Sequence, residues 1–184
     1  MKQLFFVPLC MIETERLILR PWRQDEAHIL FKYASDPAVG PIAGWAPHTS
    51  PEESLEIIRT VFSAPEVYAV VLKSTGEPVG CCGLMFADGL PATEAEIGYW
   101  IGTPFWGKGL IPEAVDALLA RCFHDLKLSA VWCSHNNANH NSQRVCEKCG
   151  FTHHHTIHDV ISPLGDLRTE LFYVMTPAQY NARQ

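Results

Sequence analysis

Gly107 and Gly109 bracket Lys108 in the run Trp106-Gly107-Lys108-Gly109, between a β-forming stretch and an amphipathic one. Glycine lets the backbone turn without a Cβ in the way, and the first N–H groups of a helix have no partner inside it. A glycine turn feeding a helix N-terminus can therefore hold phosphate, with the helix dipole favouring negative charge and Lys108 adding a cation. The same spacing also serves a strand–helix connection that needs two glycines only to turn. Neither a G-x-x-x-x-G-K-[ST] loop nor a G-x-G-x-x-G fingerprint is present, so the residues leave both readings open. A second pattern, Cys146-x-x-Cys149 followed by His153, His154, His155 and His158, offers ligand types that zinc accepts. Against it, no second cysteine pair stands at ligand spacing. Alternation along a strand also sends His153 and His155 to one face and His154 to the other. No metal is expected.

The glycine loop needs two elements to hold it. Upstream, residues 95–101 carry Ile97, Tyr99, Trp100 and Ile101 and read as a strand of mixed burial. Downstream from Leu110, the apolar residues Ala114, Val115, Leu118, Leu119 and Phe123 recur at helical spacing. Pro112 sits in the first turn, where its missing N–H costs nothing. Before these, a strand over 15–22 ends at Pro21, and a helix follows over 25–35. A Pro/Gly loop at 37–47 contains Trp45, which either packs or lines a cleft, and Ser50-Pro51 caps a second helix running to Phe62. Strands 67–72 and 79–86 make a hairpin, and 87–93 is a loop. After the long helix, strand 129–134 runs parallel to 95–101, because a helix intervenes. Helix 141–149 closes at Gly150, and strands 152–161 and 167–175 flank a turn at 162–166. The order β-α-α-β-β-β-α-β-α-β-β indicates an α/β or α+β domain with a mixed sheet.

A chain of 184 residues suits one domain with a full core. With 47% hydrophobic and 18% charged residues, the composition is that of a soluble globular protein. A net charge of −6 and a pI near 5.8 argue against nucleic acid or anionic membrane as partners and are compatible with a cationic substrate. The apolar run 4–12 is broken by Pro8, too short to span a membrane, and followed by no cleavage site. It reads as an extension over residues 1–11, with Met11 as an alternative start. Seven cysteines without a secretory signal point to reduced thiols in the cytoplasm.

Three segments together resemble a known family. Thr14 to Pro21 fits T-E-R-L-x-L-R-P, Gly107 to Ala114 fits G-K-G-x-x-x-E-A, and Asn139 to Phe151 fits N-x-x-S-x-x-x-x-E-K-x-G-F. In this order they resemble the GNAT superfamily of acetyl-CoA-dependent N-acetyltransferases, and within it the ribosomal-protein N-terminal acetyltransferases of the RimJ/RimL type. The resemblance covers residues 12–176, leaving 177–184 as a tail. It implies a mixed, mostly antiparallel sheet flanked by helices, with a splayed parallel strand pair that takes acyl-CoA. It also implies that main-chain N–H groups of Trp106, Gly107, Lys108, Gly109, Leu110 and Ile111 hold the pyrophosphate of coenzyme A. Trp106 and Ile111 depart from the family's usual residues, and the close approach at Ile111 is the weaker point. The pantetheine arm then pairs with exposed backbone of the first strand near Tyr99, Trp100 and Ile101, and Asn139 touches it.

The reaction implied moves acetyl from the thioester of acetyl-CoA to an amine, which must be neutral to attack. By the same resemblance Glu96 is the base acting through water, with Glu94 the alternate. The family's tyrosine acid is replaced here by Cys146, while Ser142 matches a serine proposed as acid in the ribosomal-protein branch. Ser142 and Asn139 can also simply cap or start the helix, and Cys146 can be core. The acceptor expected is a protein or peptide N-terminal α-amino group. The alternatives are a small amine (polyamine, amino-acid derivative, aminoglycoside) or a non-catalytic acyl-CoA-binding module. A homodimer follows only by analogy.

Overall fold

The computed structural model describes residues 11–86 and 89–183. Residues 1–10 of the expected extension, 87–88 of the expected loop and 184 lie outside them.

Among the described residues, eight strands form a single sheet in the order β1-β2-β3-β4-β5-β6-β8-β7. They are β1 (Ile12–Glu13), β2 (Leu17–Arg20), β3 (Val67–Leu72), β4 (Pro78–Met85), β5 (Glu94–Ile101), β6 (Ala130–Asn136), β7 (Thr152–Ile161) and β8 (Leu167–Met175). Every neighbouring pair is antiparallel except β5 and β6, as a helical crossover between them requires. The helices are α1 (Ala27–Ala34), α2 (Gly40–Ala43), α3 (Pro51–Thr60), α4 (Leu110–His124), α5 (His140–Lys148) and α6 (Pro177–Asn181).

Alternation along the strands divides the core between the two faces of the sheet. Val70 and Cys82 join the large core under α4, with Leu118, Leu119 and Val131. Their neighbours Ala69, Val71 and Cys81 turn to the smaller core under α1 and α3, with Trp22, Leu30 and Ile58. The Ser50 hydroxyl caps α3 by accepting from the Glu53 N–H at 3.1 Å. The expected 37–47 loop contains the short helix α2, which stops at Gly44 in the left-handed conformation (φ 94°). Trp45 packs edge-on against Trp100, ring centres 5.9 Å apart. Past Thr176 the chain does not trail away, because α6 packs the buried Tyr180 on Phe123.

One buried ion pair fixes α4 to the sheet. The Arg121 guanidinium donates to both oxygens of Glu66, each at 2.7 Å, and the Tyr68 hydroxyl donates to the same carboxylate at 2.6 Å. Burial pushes the Glu66 carboxyl up, but the hydrogen bonds from Arg121 and Tyr68 and the Arg121 charge outweigh it and hold it below its ordinary value. A carboxylate so depressed contributes stability above its unfolded pKa of about 4.3, and that contribution is lost as the pH falls through the lower folded value. Arg121→Met leaves a buried, unpaired carboxylate and is expected to destabilise the fold by about 3–5 kcal/mol. Urea midpoints measure this, and adding Glu66→Gln should restore part of the loss. A change under about 1 kcal/mol would mean that the pair behaves as a solvated one.

Candidate functional site

β5 and β6 pair only at Glu94–Ala130, Ala95–Val131 and Glu96–Trp132. Beyond that they part, although β5 runs on to Ile101 and stays paired with β4 from Glu96 to Ile101. The closed end is stitched by the Trp132 indole donating to Glu94 (2.6 Å) and by the Ser129 N–H donating to the Thr93 carbonyl (2.7 Å). The open end leaves one edge of residues 97–101 without a strand partner. Two clefts meet there. One, of about 590 Å³, runs between the glycine loop and α5; the other, of about 460 Å³, opens on the opposite side of the parted strands. Ile42, Ala43, Tyr99, Trp100, Asn139 and Ser142 line both.

Trp106, Gly107, Gly109, Leu110 and Ile111 line the first cleft. Gly107 and Gly109 have φ of 74° and 73°, the left-handed region that a side chain disfavours. Among the described residues, no backbone acceptor serves the N–H groups of 107–111. Trp106 departs from expectation as a donor. A 3₁₀ turn over Thr103–Phe105 takes its N–H to the Thr103 carbonyl (3.2 Å), and its indole N–H caps the Ile101 carbonyl at 2.9 Å. Lys108 places its amine 5.4 Å over the Phe105 ring. The carbonyls on the other side of the loop are held by Arg16, whose guanidinium donates to Lys108 O (2.9 Å) and Gly109 O (3.3 Å). The same guanidinium pairs with Glu113 at 2.6 Å, while the Arg16 N–H and Thr14 hydroxyl also donate to that carboxylate. Burial pushes Glu113 up, but these donors outweigh it and keep it below its ordinary value. Two segments noticed separately in the sequence, Thr14–Arg16 and Gly107–Glu113, are thus one clamp.

At the junction, the Tyr99 hydroxyl lies 2.8 Å from Ser142 Oγ. Burial, reinforced by the neighbouring thiols Cys133 and Cys146, holds the Tyr99 phenol well above its ordinary value, so it stays neutral. Asn139 caps α5 by accepting from the Ser142 N–H at 3.1 Å and still lines both clefts. Cys146, one turn further along α5, lines neither cleft. It is fully buried with its sulfur 3.3 Å from that of Cys133, so the expectation of an acid at Cys146 is corrected: the thiol lies behind Ser142, in the core. Cys149 is also buried, facing the Pro112 carbonyl, while His153, His154 and His158 lie exposed on β7.

The second cleft is lined by Glu96, whose Oε1 accepts from the Ser134 hydroxyl at 2.5 Å, and by Glu170 on β8. Glu94 is not beside them; its carboxylate is committed to Trp132. Burial raises Glu170 above its ordinary value; the Arg168 charge opposes this, and the Glu96 and Asp166 charges add to it. Buried His135 donates from Nδ1 to the Asn136 carbonyl (2.8 Å) and stacks on Tyr173, and burial lowers its pKa. Sequence reasoning missed the Tyr99 hydroxyl, Ser134, Glu170 and the Arg16–Glu113 clamp. Only the last had a signal, the two motif segments occurring together.

A family model described as an acetyltransferase (GNAT) domain matches residues 16–152. The chain is similar to the uncharacterized N-acetyltransferase p20 of Bacillus licheniformis, 27% identical over 172 residues that take in 91% of this chain and 96% of that protein. Among solved structures, a GNAT-family acetyltransferase from Bacillus anthracis superposes with a TM-score of 0.81 at 23% identity, over 91% of this chain and 98% of that one. The ribosomal-protein-S5-alanine acetyltransferase from Vibrio fischeri superposes with a TM-score of 0.71 at 18% identity, over 91% and 96%. At these identities the two superpositions show the fold alone.

The clamp makes the loop testable with inorganic pyrophosphate. Arg16→Ala is expected to weaken its binding by about 1 kcal/mol, the worth of a hydrogen bond. Because the Arg16–Glu113 pair is partly exposed, folding stability should move by less than about 1 kcal/mol. Calorimetric titration measures the first and thermal melting the second; unchanged affinity would show that the loop keeps its shape without Arg16.

Proposed function

Because the chain belongs to the GNAT acetyltransferase family, it is an acetyltransferase enzyme, and we propose that it moves the acetyl group of acetyl-CoA to a protein or peptide N-terminal α-amino group. The observation that carries this reading is the meeting of two clefts at the open edge of β5, one ending in unpartnered N–H groups and the other in carboxylates. The N–H groups of 107–111 suit the pyrophosphate. The free edge of 97–101 suits the amides of the pantetheine arm, which would add to it as a strand does. When bound, acetyl-CoA supplies the acyl carbon that the amine attacks and a sulfur that leaves.

The chain's own residues divide the proton work. Glu96, oriented by Ser134, takes the proton of the acceptor ammonium through a bridging water, leaving the nitrogen lone pair free. An α-amino group, with a pKa near 8, asks less of such a base than a lysine at about 10.4. Ser142 faces the junction with its Oγ 2.8 Å from the Tyr99 hydroxyl; when Tyr99 donates in that pair, the serine hydrogen is free to point at the departing sulfur. The N-terminal acceptor is supported by the Thr14–Pro21 and Asn139–Phe151 segments, which follow the RimJ/RimL pattern. The buried free thiols suit a reducing compartment such as the cytoplasm.

Thiol release from acetyl-CoA against N-terminal peptides and small amines tests the reading. Turnover of peptides is expected, whereas turnover of small amines alone would overturn the peptide acceptor, and none at all would favour a binding module. Glu96→Gln should lower kcat by about 10²-fold, at the lower end of general acid–base effects. The loss should be greatest at low pH, where more of the amine is protonated. An unchanged pH–rate profile would remove Glu96 as the base.

A further inference from the structure

Glu170 stands apart from the other carboxylates around the sheet. Glu66, Glu94, Glu96 and Glu113 each accept from a named donor. Among the described residues the Glu170 carboxylate makes no hydrogen bond and no ion pair, yet the residue is half-buried and lines the second cleft. Arg168, two residues away on β8, lines the same cleft and its charge reaches Glu170, but its guanidinium donates to Asp166 at 2.7 Å and to the Pro41 carbonyl at 2.9 Å and makes no ion pair with Glu170. A half-buried carboxylate facing another across a cleft is relieved by a cation that comes from outside. The rim of the same cleft carries Val61, Met85 and Ile161, which are 53%, 49% and 72% exposed. Apolar side chains left exposed around a cleft gain by covering.

We propose that Glu170 is the residue that holds the acceptor ammonium, and that Val61, Met85 and Ile161 receive an apolar group beside it. The acceptor is therefore a singly cationic primary amine carrying an apolar side chain, and in a peptide its first residue is apolar. This rests on taking the second cleft as the acceptor side of the acetyltransferase. Glu170 pairs with the ammonium on entry, and Glu96, deeper at the parted strands, stays with Ser134 to receive the proton. The rim gives a polyamine nothing to rest on, and the two carboxylates repel an acceptor whose side chain is acidic.

The test is calorimetric binding of a leucyl dipeptide amide, its N-acetylated form, a glutamyl dipeptide amide and spermidine to the intact protein, wild type and Glu170→Gln. The leucyl amide is expected to bind the wild type best, and Glu170→Gln to weaken it about tenfold, as loss of a charged hydrogen bond would. The acetylated form, which has no charge, should bind both proteins equally weakly, and Glu170→Asp should recover part of the affinity. Equal binding of the leucyl amide to wild type and Glu170→Gln overturns the proposal, as does a wild-type preference for spermidine, the glutamyl amide or the acetylated form. Thiol release is followed separately. Charge-dependent binding without turnover overturns acetyl transfer and leaves Glu170 its role, whereas turnover with unchanged amine affinity in Glu170→Gln does the reverse.

Discussion

The parting of β5 from β6 after Glu96 is the constraint on which the rest of the site depends. A strand edge left unpaired inside a protein leaves backbone donors and acceptors without partners, and a fold keeps such an edge only if something holds the strands apart. Here β4 pairs with β5 through Ile101 and keeps it in the sheet, while β8 does the same for β6. On the α5 face of the sheet the Tyr99 side chain packs against Cys133, Cys146 and Ser142. That contact joins β5 to β6 and α5 beyond the point where the two strands part.

The glycine loop is placed against that gap by α4, which is tied down near both ends. Arg121 binds it to Glu66 ahead of β3, and Glu113 binds it to the turn between β1 and β2. Arg16 fixes the Lys108 and Gly109 carbonyls, and among the described residues the N–H groups of 107–111 are left without a backbone acceptor. Preorganised donors spare the ordering cost that a flexible loop would have to meet on binding. Ile111 turns its side chain into the core and still lines the cleft.

What the sequence made legible was local. Seven of the eight strands, the long helix and the glycine turn rest on periodicity and on backbone conformations that single residues impose, and these came within a few residues of the observed elements; β1, two residues long, was not read. The serine cap of α3 and the parallel β5–β6 pair were legible for the same reason. The losses were of depth and of distance. Ser142 and Cys146 lie one turn apart on the same face of α5, and periodicity alone does not say that one reaches the cleft and the other stops at Cys133. Trp106 kept its place in the loop but lost its N–H to a 3₁₀ turn that no residue pattern announces. Tyr99 and Ser142 are 43 residues apart and Arg16 and Glu113 are 97 apart, so their pairings follow only from the assembled sheet. Glu170 was invisible because what sets it apart, the lack of a partner, is a property of its surroundings.

The two clefts share a roof as well as a floor. Ile42 and Ala43 of α2 overhang both, and a helix of four residues cannot hold itself in place by its own hydrogen bonds. It is positioned from outside, by Arg168 donating to the Pro41 carbonyl and by the Trp45 ring filling the space against Gly40, where a Cβ would meet it at 2.6 Å. Arg168 and Glu170 stand two residues apart on β8, so the cation that sets the roof is removed from competition for the carboxylate beneath it. Asp166 completes this division by neutralising Arg168. Held by Asp166 and by the Pro41 carbonyl, Arg168 lines the second cleft without pairing with Glu170, and the shape of the site and part of its charge come from the same side chain.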